Sequence, residues 1–427
     1  MELYKISGPA FLKGRVKVQG SKNAVLPMMA AAVANKGVTR LCNCPDITDV
    51  HNAAEILRYI GCKVEYDNGT LTIDSDCEIK NHVPCCIMTR LRASFLFAGA
   101  LIARCGGFKL SQPGGCNIGI RPVDIHLECF RRLGATVETS SNEIICRGKN
   151  LKPCELTLRF PSVGATENIM ILASALKGKT RIINAAREPE IEDLEKMLSA
   201  TGAVITGAGS GVISIEGTNE RHNTQYTIMP DRIDGATYLT ALACTEGSIT
   251  LENANPEHLL NYMNILRKCG MNLEVFQNKI CATKHGRLGG GINVTTGPYP
   301  GFATDTQSLL MAALSLSNGV SLIRENIFEN RFCLAGLLSE MGADIRTYRH
   351  IASVRGVRSL SPIDGRACDL RSGAALATAM MSCEGESILR DIHYLDRGYE
   401  KFHEKYKSLG VNIERIEDSG EQRKTQT

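Results

Sequence analysis

The chain has 427 residues, 43% apolar and 22% charged, with a net charge of +4, which allows large buried cores and about two to four domains. Its longest apolar stretches, such as Val25 to Ala34, fall far short of the roughly 20 residues that span a bilayer, and the N-terminus has no signal-peptide pattern, so a cytoplasmic protein with no membrane contact is expected. The basic residues are scattered, which argues against nucleic acid as a partner, and the seventeen cysteines are odd in number and irregularly spaced, which argues for free thiols and no metal.

Two short phrases recur six times along the chain. The first is a glycine ahead of a strand: KGVTRLCN at Gly37, CGGFKLSQ at Gly107, KGKTRIIN at Gly178, EGSITLEN at Gly247, NGVSLIRE at Gly319 and EGESILRD at Gly385. The second ends an amphipathic run: LRYIGCKVEY at Gly61, FRRLGATVET at Gly134, LSATGAVITG at Gly202, LRKCGMNLEV at Gly270, LSEMGADIRT at Gly342 and YKSLGVNIER at Gly410, spaced 68 to 73 residues apart. Two phrases that keep one period of about seventy residues indicate structural repetition.

Each unit has a fixed order. A helix apolar nearly all round precedes the first phrase: Ala24 to Ala34, Ala93 to Ala103, Ala165 to Leu176, Gly235 to Cys244, Gln307 to Leu316 and Ser372 to Met381. Helices of that kind are buried. The helix before the second phrase, as in Glu190 to Ala200 or Glu257 to Cys269, has one polar face. The residues that follow, such as LTID and EIIC, alternate like strands with one face in water. Buried helices with strands outside predict an α/β fold of inside-out barrels. Six such units exceed one core, so two groups of three are expected. An ordinary doubly wound sheet does not account for the strict period.

The six buried helices open on Lys22 with Asn23, Arg92, Ser162 to Gly164, Asp231 with Arg232, Asp305, and Asp369 with Arg371. A helix N-terminus presents unpaired amides and partial positive charge, so it favours an anion, more so beside a Lys or Arg. Converging starts of this kind fit a multiply charged anion. Ser162 and Asp231 read equally well as ordinary caps. Arg92 and Arg371 oppose the helix dipole, so each needs a partner. The segment QPGGCNIGIRPVDIH, from Gln112 to His126, is a glycine-rich loop with a thiol at Cys116 and a cation at Arg121. Positive charge lowers a thiol pKa, and such a thiol suits proton transfer. The other cysteines read as packing residues.

SKNAVLP at Ser21 to Pro27, LRAS at Leu91 to Ser94, PGGCNIGIRPVDIH at Pro113 to His126, PSVGAT at Pro161 to Thr166 and AAREPEIED at Ala185 to Asp193 resemble the motifs of the UDP-N-acetylglucosamine enolpyruvyl transferases. PDRID, ATDTQ, FENRF, DLRSG and DRGYE continue the resemblance in the same order over essentially the whole chain. It implies a two-domain inside-out α/β barrel with three repeats per domain, one domain formed by 1–21 with 230–427 and the other by 22–229. The implied reaction moves the enolpyruvyl group of phosphoenolpyruvate to the 3'-hydroxyl of UDP-N-acetylglucosamine, the first committed step of peptidoglycan synthesis, without a cofactor. Both substrates are small molecules, and a monomer is expected.

By the same resemblance, Asp305 takes the proton of the sugar hydroxyl, while Cys116 protonates the methylene carbon and is the thiol that fosfomycin alkylates. Lys22, Arg121 and Arg397, with Arg92 nearby, resemble the phosphate-side group, and Arg331 and Arg371 the carboxylate-side group, with Asn23 also at the phosphoenolpyruvate site. Arg92, Arg121, Pro122, Val123, Asp124 and Ile125, with Ser162, Val163 and Gly164, resemble the nucleotide site, and Asn23, Asp305 and Ile327 the sugar contacts. Ala303 departs from the pattern, which has proline there. The tail from Glu417 to Thr427 is polar and expected to be disordered. Two rival readings are the related transferase acting on shikimate phosphate, which does not rely on a loop cysteine, and a nucleotide-sugar-binding paralogue without turnover.

Overall fold

The computed structural model describes residues 2–111, 119, 122–220 and 222–417, with Arg92 described in its backbone alone. Cys116, Arg121 and the tail from 418 onward, on which expectations were placed, lie outside the described residues.

The six apolar helices are Lys22–Asn35, Phe97–Cys105, Val163–Ser174, Arg232–Cys244, Gln307–Ser315 and Leu370–Met380, and nearly every side chain in them is buried. The first three pack on one another and so do the last three. Around them lie two separate hydrophobic cores, one drawn from residues 24–229 and the other from 4–18 with 233–413. The amphipathic helices, such as Thr48–Ile60 and Pro256–Lys268, bury one stripe against these cores. No helix among the described residues is long and apolar enough to cross a membrane.

The described residues form six four-stranded sheets with one common strand order. In the third unit, Glu155–Thr157 runs parallel to Gly178–Ile183, which pairs antiparallel with Val212–Gly217, itself paired with Val204–Thr206. In the sequence this parallel pair flanks the buried helix Val163–Ser174, so the unit joins its two parallel strands through its own helix. In Thr70–Asp74 only Leu71 and Ile73 are buried, the one-sided pattern expected of an outer sheet. All twelve phrase glycines have positive φ, between 93° and 158°, which is costly for any residue with a Cβ. At Gly61 the turn is completed by Gly61 N–H to Arg58 O, 3.1 Å, and Cys62 N–H to Leu57 O, 2.9 Å, a helix stop that needs the left-handed residue. The repeat is therefore written in the sequence by its backbone requirements.

The second apolar helix starts later than Ala93, the expected residue, because Arg92–Leu96 is a 3-10 turn. Asn168 accounts for the change: its Nδ2 donates to Phe95 O at 3.0 Å and its Oδ1 accepts from Gly99 N at 2.7 Å. One buried amide thus takes the place of the helical bond between those two groups.

The first two strands do not belong to the first core. Glu2–Gly8 lies between Gly385–Arg390 and Asn412–Glu417, and Phe11–Lys17 runs parallel to Glu246–Glu252. The chain enters the first core at 19–21 and leaves it at 229–231. These crossings run antiparallel, with Gly20 opposite Pro230, Ser21 N–H to Met229 O and Asp231 N–H to Gln19 O, both 2.8 Å. Gln19 ties them to the second core through Asp234 Oδ2, Gly398 O and the Glu400 N–H. A Cβ on Gly20 would overlap the Asn43 carbonyl oxygen. Gly20→Ala should lower stability by about 1–3 kcal/mol, read as a lower urea midpoint; an unchanged midpoint would contradict this close approach.

Candidate active site

Helix starts from both cores converge where the chain crosses. Lys22 opens its helix with its backbone N–H on Asp231 Oδ2 at 3.2 Å and its Nζ on Asp49 Oδ2 at 2.7 Å. Asp49, in the first turn of Thr48–Ile60, also accepts from Arg397 Nε at 3.0 Å and Nη2 at 3.3 Å, across 348 residues of sequence. From the second core, Asp305 receives Arg331 Nη2 at 2.8 Å and Arg371 Nη2 at 3.3 Å. Asn23 reaches the same carboxylate from the first core, Nδ2 to Oδ2 3.5 Å. Lys22, Asn23, Asp305, Arg331, Arg371 and Arg397 are thus brought together.

Two carboxylates here each face two cations. Arg331 and Arg371 are 2% and 4% exposed, whereas the Asp305 side chain is 27% exposed, so the carboxylate is the reachable member of its cluster. Burial pushes the Lys22 ammonium below its ordinary pKa; Asp49 pulls it back, but Arg371 and Arg397 press it down. Burial would raise Asp49, yet Lys22 and Arg397 hold it below the usual carboxylate range. Both pKa values fall, which favours the charged form of Asp49 and disfavours that of Lys22: Asp49 sees two cations and Lys22 one carboxylate, so Asp49 is the firmly ionised partner. For Arg371, burial acts downward and is overcome by Asp305, which raises the guanidinium pKa.

Local structure fixes each group. Asp369 caps the Arg371 helix, its Oδ1 accepting from Arg371 N at 2.9 Å and Ser372 N at 3.2 Å. Together with Asp305 this supplies the partners that a cation at a helix start requires. Glu325 organises the turn carrying Ile327 and Arg331: its Oε1 accepts from Ile327 N, Phe328 N and Thr296 Oγ1, and its Oε2 from Thr304 Oγ1. Ser162 caps its helix, accepting from Ala165 N at 3.4 Å, and Asp231 does the same for Ile233 and Asp234. Arg232 lies on Glu190 of the first core, Nε to Oε1 3.0 Å.

Pro122, Val123, Asp124 and Ile125 lead into the helix Asp124–Arg132, and Asp124 is paired with Arg159. This segment meets Ser162, Val163 and Gly164 through His126, whose Cε1 lies 3.2 Å from where a Cβ on Gly164 would sit. Gly119, the one described residue between 112 and 121, abuts Glu329, in the same turn as Ile327 and Arg331. Arg92 begins its 3-10 turn, with its side chain outside the described residues. Sequence reasoning did not single out Asp49, Glu190 or Glu325. The first two stand in first helical turns, where an acid is the ordinary complement to the dipole, and only their long-range partners mark them.

A family profile described as EPSP synthase (3-phosphoshikimate 1-carboxyvinyltransferase) matches residues 6–406. The chain belongs to this enolpyruvyl transferase family. Among its relatives, UDP-N-acetylglucosamine 1-carboxyvinyltransferase 2 of Caldanaerobacter subterraneus subsp. tengcongensis is 42% identical over 97% of this chain and 100% of its own. The UDP-N-acetylglucosamine 1-carboxyvinyltransferase of Thermotoga maritima is 41% identical over 96% of this chain and 98% of its own. In structure, this enolpyruvyl transferase is similar to the enolpyruvyl transferase NikO from Streptomyces tendae, with a TM-score of 0.88 at 25% identity, covering 97% of this chain and 99% of that one. An EPSP synthase from Acinetobacter baumannii shares the fold, with a TM-score of 0.74 at 18% identity over 98% and 100% of the two chains.

Asp49→Ala leaves Lys22 buried without its carboxylate, which should cost about 3 kcal/mol in urea unfolding; a loss below about 1 kcal/mol would mean that Asp49 does not hold the pair. His126 is buried, accepts from Asn168 at 2.9 Å, and burial pushes it from 6.5 down to about 4. Above pH 6.5 its ring is neutral both folded and unfolded. Below that only the unfolded ring gains a proton, so stability falls until the pH reaches the folded value, by up to about 3 kcal/mol. Unfolding midpoints measured from pH 7 to 4.5 should show the decline, and His126→Gln should flatten it.

Proposed function

We propose that the chain transfers the enolpyruvyl group of phosphoenolpyruvate to the 3'-hydroxyl of UDP-N-acetylglucosamine, releasing phosphate, in the first committed step of peptidoglycan synthesis. The observation that carries the reading is Asp305, a partly exposed carboxylate gripped by Arg331 and Arg371 and touched from the other core by Asn23. Identity of about 40% over nearly the full length to transferases named for the nucleotide sugar supports that acceptor over shikimate phosphate.

In this reading the two cores are the two domains, 22–229 and 1–21 with 230–427, and the substrates lie between them. Arg331 and Arg371 take the substrate carboxylate, for which a guanidinium is well shaped. Doing so draws them off Asp305, whose basicity rises as its cations turn to the new anion. Asp305 then accepts the proton of the sugar hydroxyl as its oxygen attacks C2 of the enol. Cys116 delivers a proton to C3, giving a tetrahedral adduct. Loss of the C3 proton and departure of phosphate restore the double bond as an enol ether. Lys22, Arg121 and Arg397, with Arg92 nearby, hold the phosphate. Pro122 to Ile125, with Ser162 to Gly164, bind the nucleotide, and Asn23 and Ile327 contact the sugar. The reading takes the protein to act as a monomer in the cytoplasm.

The test is phosphate release from phosphoenolpyruvate with UDP-N-acetylglucosamine or shikimate 3-phosphate as acceptor. Release with the nucleotide sugar alone is expected, with kcat in Asp305→Ala down on the order of 10²-fold or more. Release with shikimate 3-phosphate alone would overturn the acceptor, and tight nucleotide-sugar binding with no release would point to a binding paralogue.

A further inference from the structure

We propose that Cys333 and Cys368 are a modification site: a dithiol that a peroxide converts to a disulfide, weakening the grip of Arg331 and Arg371. Both thiols are partly exposed and both adjoin Asp369: Cys333 Sγ lies 3.4 Å from its Oδ2, and Cys368 is the residue before it in the chain. Cys333 opens the helix Cys333–Glu340, two residues after Arg331, and Cys368 directly precedes Asp369, the cap of the Arg371 helix. The pair therefore joins the two segments that deliver the arginines.

The sulfurs also share polar partners with the site. Cys333 Sγ donates to Asp369 Oδ2 at 3.4 Å and lies 3.2 Å from Ser372 Oγ, which itself donates to Asp369 Oδ2 at 2.6 Å. The other oxygen of Asp369 caps the helix and lies 3.7 Å from Arg331 Nη1. The S–H of Cys333 is within reach of the carboxylate that follows Cys368 in the chain. Hydrogen bonding from Cys333 lowers the Cys368 thiol pKa, while that contact, with burial, raises Cys333. Cys368 is thus the sulfur more readily ionised, the property that selects an attacking thiol.

The Cys368 thiolate attacks one oxygen of hydrogen peroxide, the O–O bond breaks, and the departing hydroxide takes a proton to become water. Cys333 sulfur then attacks the sulfenic sulfur, the S–O bond breaks, and the Cys333 proton leaves with the hydroxyl as a second water. Two thiols lose two electrons and one peroxide gains them; a dithiol reductant reverses the change. Oxidation removes the S–H that Asp369 accepts and draws the sulfurs to about 2 Å, so the cap that orients Arg371 and faces Arg331 must shift.

The effect on catalysis rests on the function proposed above, but formation of the bond does not, so the experiment reads them separately. The full-length protein is treated with a few equivalents of hydrogen peroxide, its peptides are mapped by mass, and turnover is measured before and after reduction with dithiothreitol. A linked Cys333–Cys368 peptide is expected, with a reversible rise in KM for phosphoenolpyruvate on the order of tenfold, the size attached to losing a hydrogen bond to a charged group. Cys368→Ser should keep its activity and lose the response. Absence of that peptide, with or without linkage between other cysteines, would overturn the site. An unchanged KM in the linked protein, or equal inhibition of Cys368→Ser through Cys116, would overturn its effect on the arginines. Failure of the untreated protein to turn over would count against the proposed function alone, since the peptide map is read without it.

Discussion

The structure depends on burying cations beside one another. Lys22, Arg331 and Arg371 are nearly inaccessible and lie at or beside helix N-termini, where the backbone field is already positive. Taking one ion out of water costs several kcal/mol, and like charges add to that. Asp49 and Asp305 make the arrangement possible, each shared by two cations. Neither carboxylate serves a single core: Asp49 belongs to the first and holds Arg397 of the second, while Asp305 belongs to the second and is met by Asn23 of the first. The electrostatics that form the site are also a link between the cores.

The inside-out architecture provides the place for such charges. In a sheet-centred barrel the helices are outside and their ends face water. Here the helices are the core, flanked by outer sheets, and the starts of helices from both cores converge. Partial positive charge is concentrated where the two cores meet. Side chains then refine a preference for anions that the backbone has set up.

The repeat was legible because it rests on backbone conformation: glycine at positive φ is hard to replace, so twelve of them kept the period visible. The buried helices were legible because they are apolar on every face. Asn168 was not, since an asparagine inside an apolar helix carries no local sign that it substitutes for a hydrogen bond in another helix. In the site, Arg371 announced its need for a partner by standing at a helix start, but the sequence could not name Asp305 as that partner on physical grounds. Asp49 and Glu325 were silent because their meaning lies in contacts with distant residues. The thiols at 333 and 368 look like packing residues until the fold brings Cys333 onto the carboxylate of Asp369, next to Cys368 in the chain.

The paired crossings at Gly20 and Pro230 have a topological consequence. The whole first core is one continuous insertion in the chain, entering and leaving through neighbouring extended segments that are hydrogen-bonded to each other. Two tethers side by side would allow bending about the line that joins them and resist rotation along their length, as a door hung on two hinges swings but does not spin. A twist of one core against the other would have to break the hydrogen bonds between the crossings, and with them the register that brings Asn23 to Asp305.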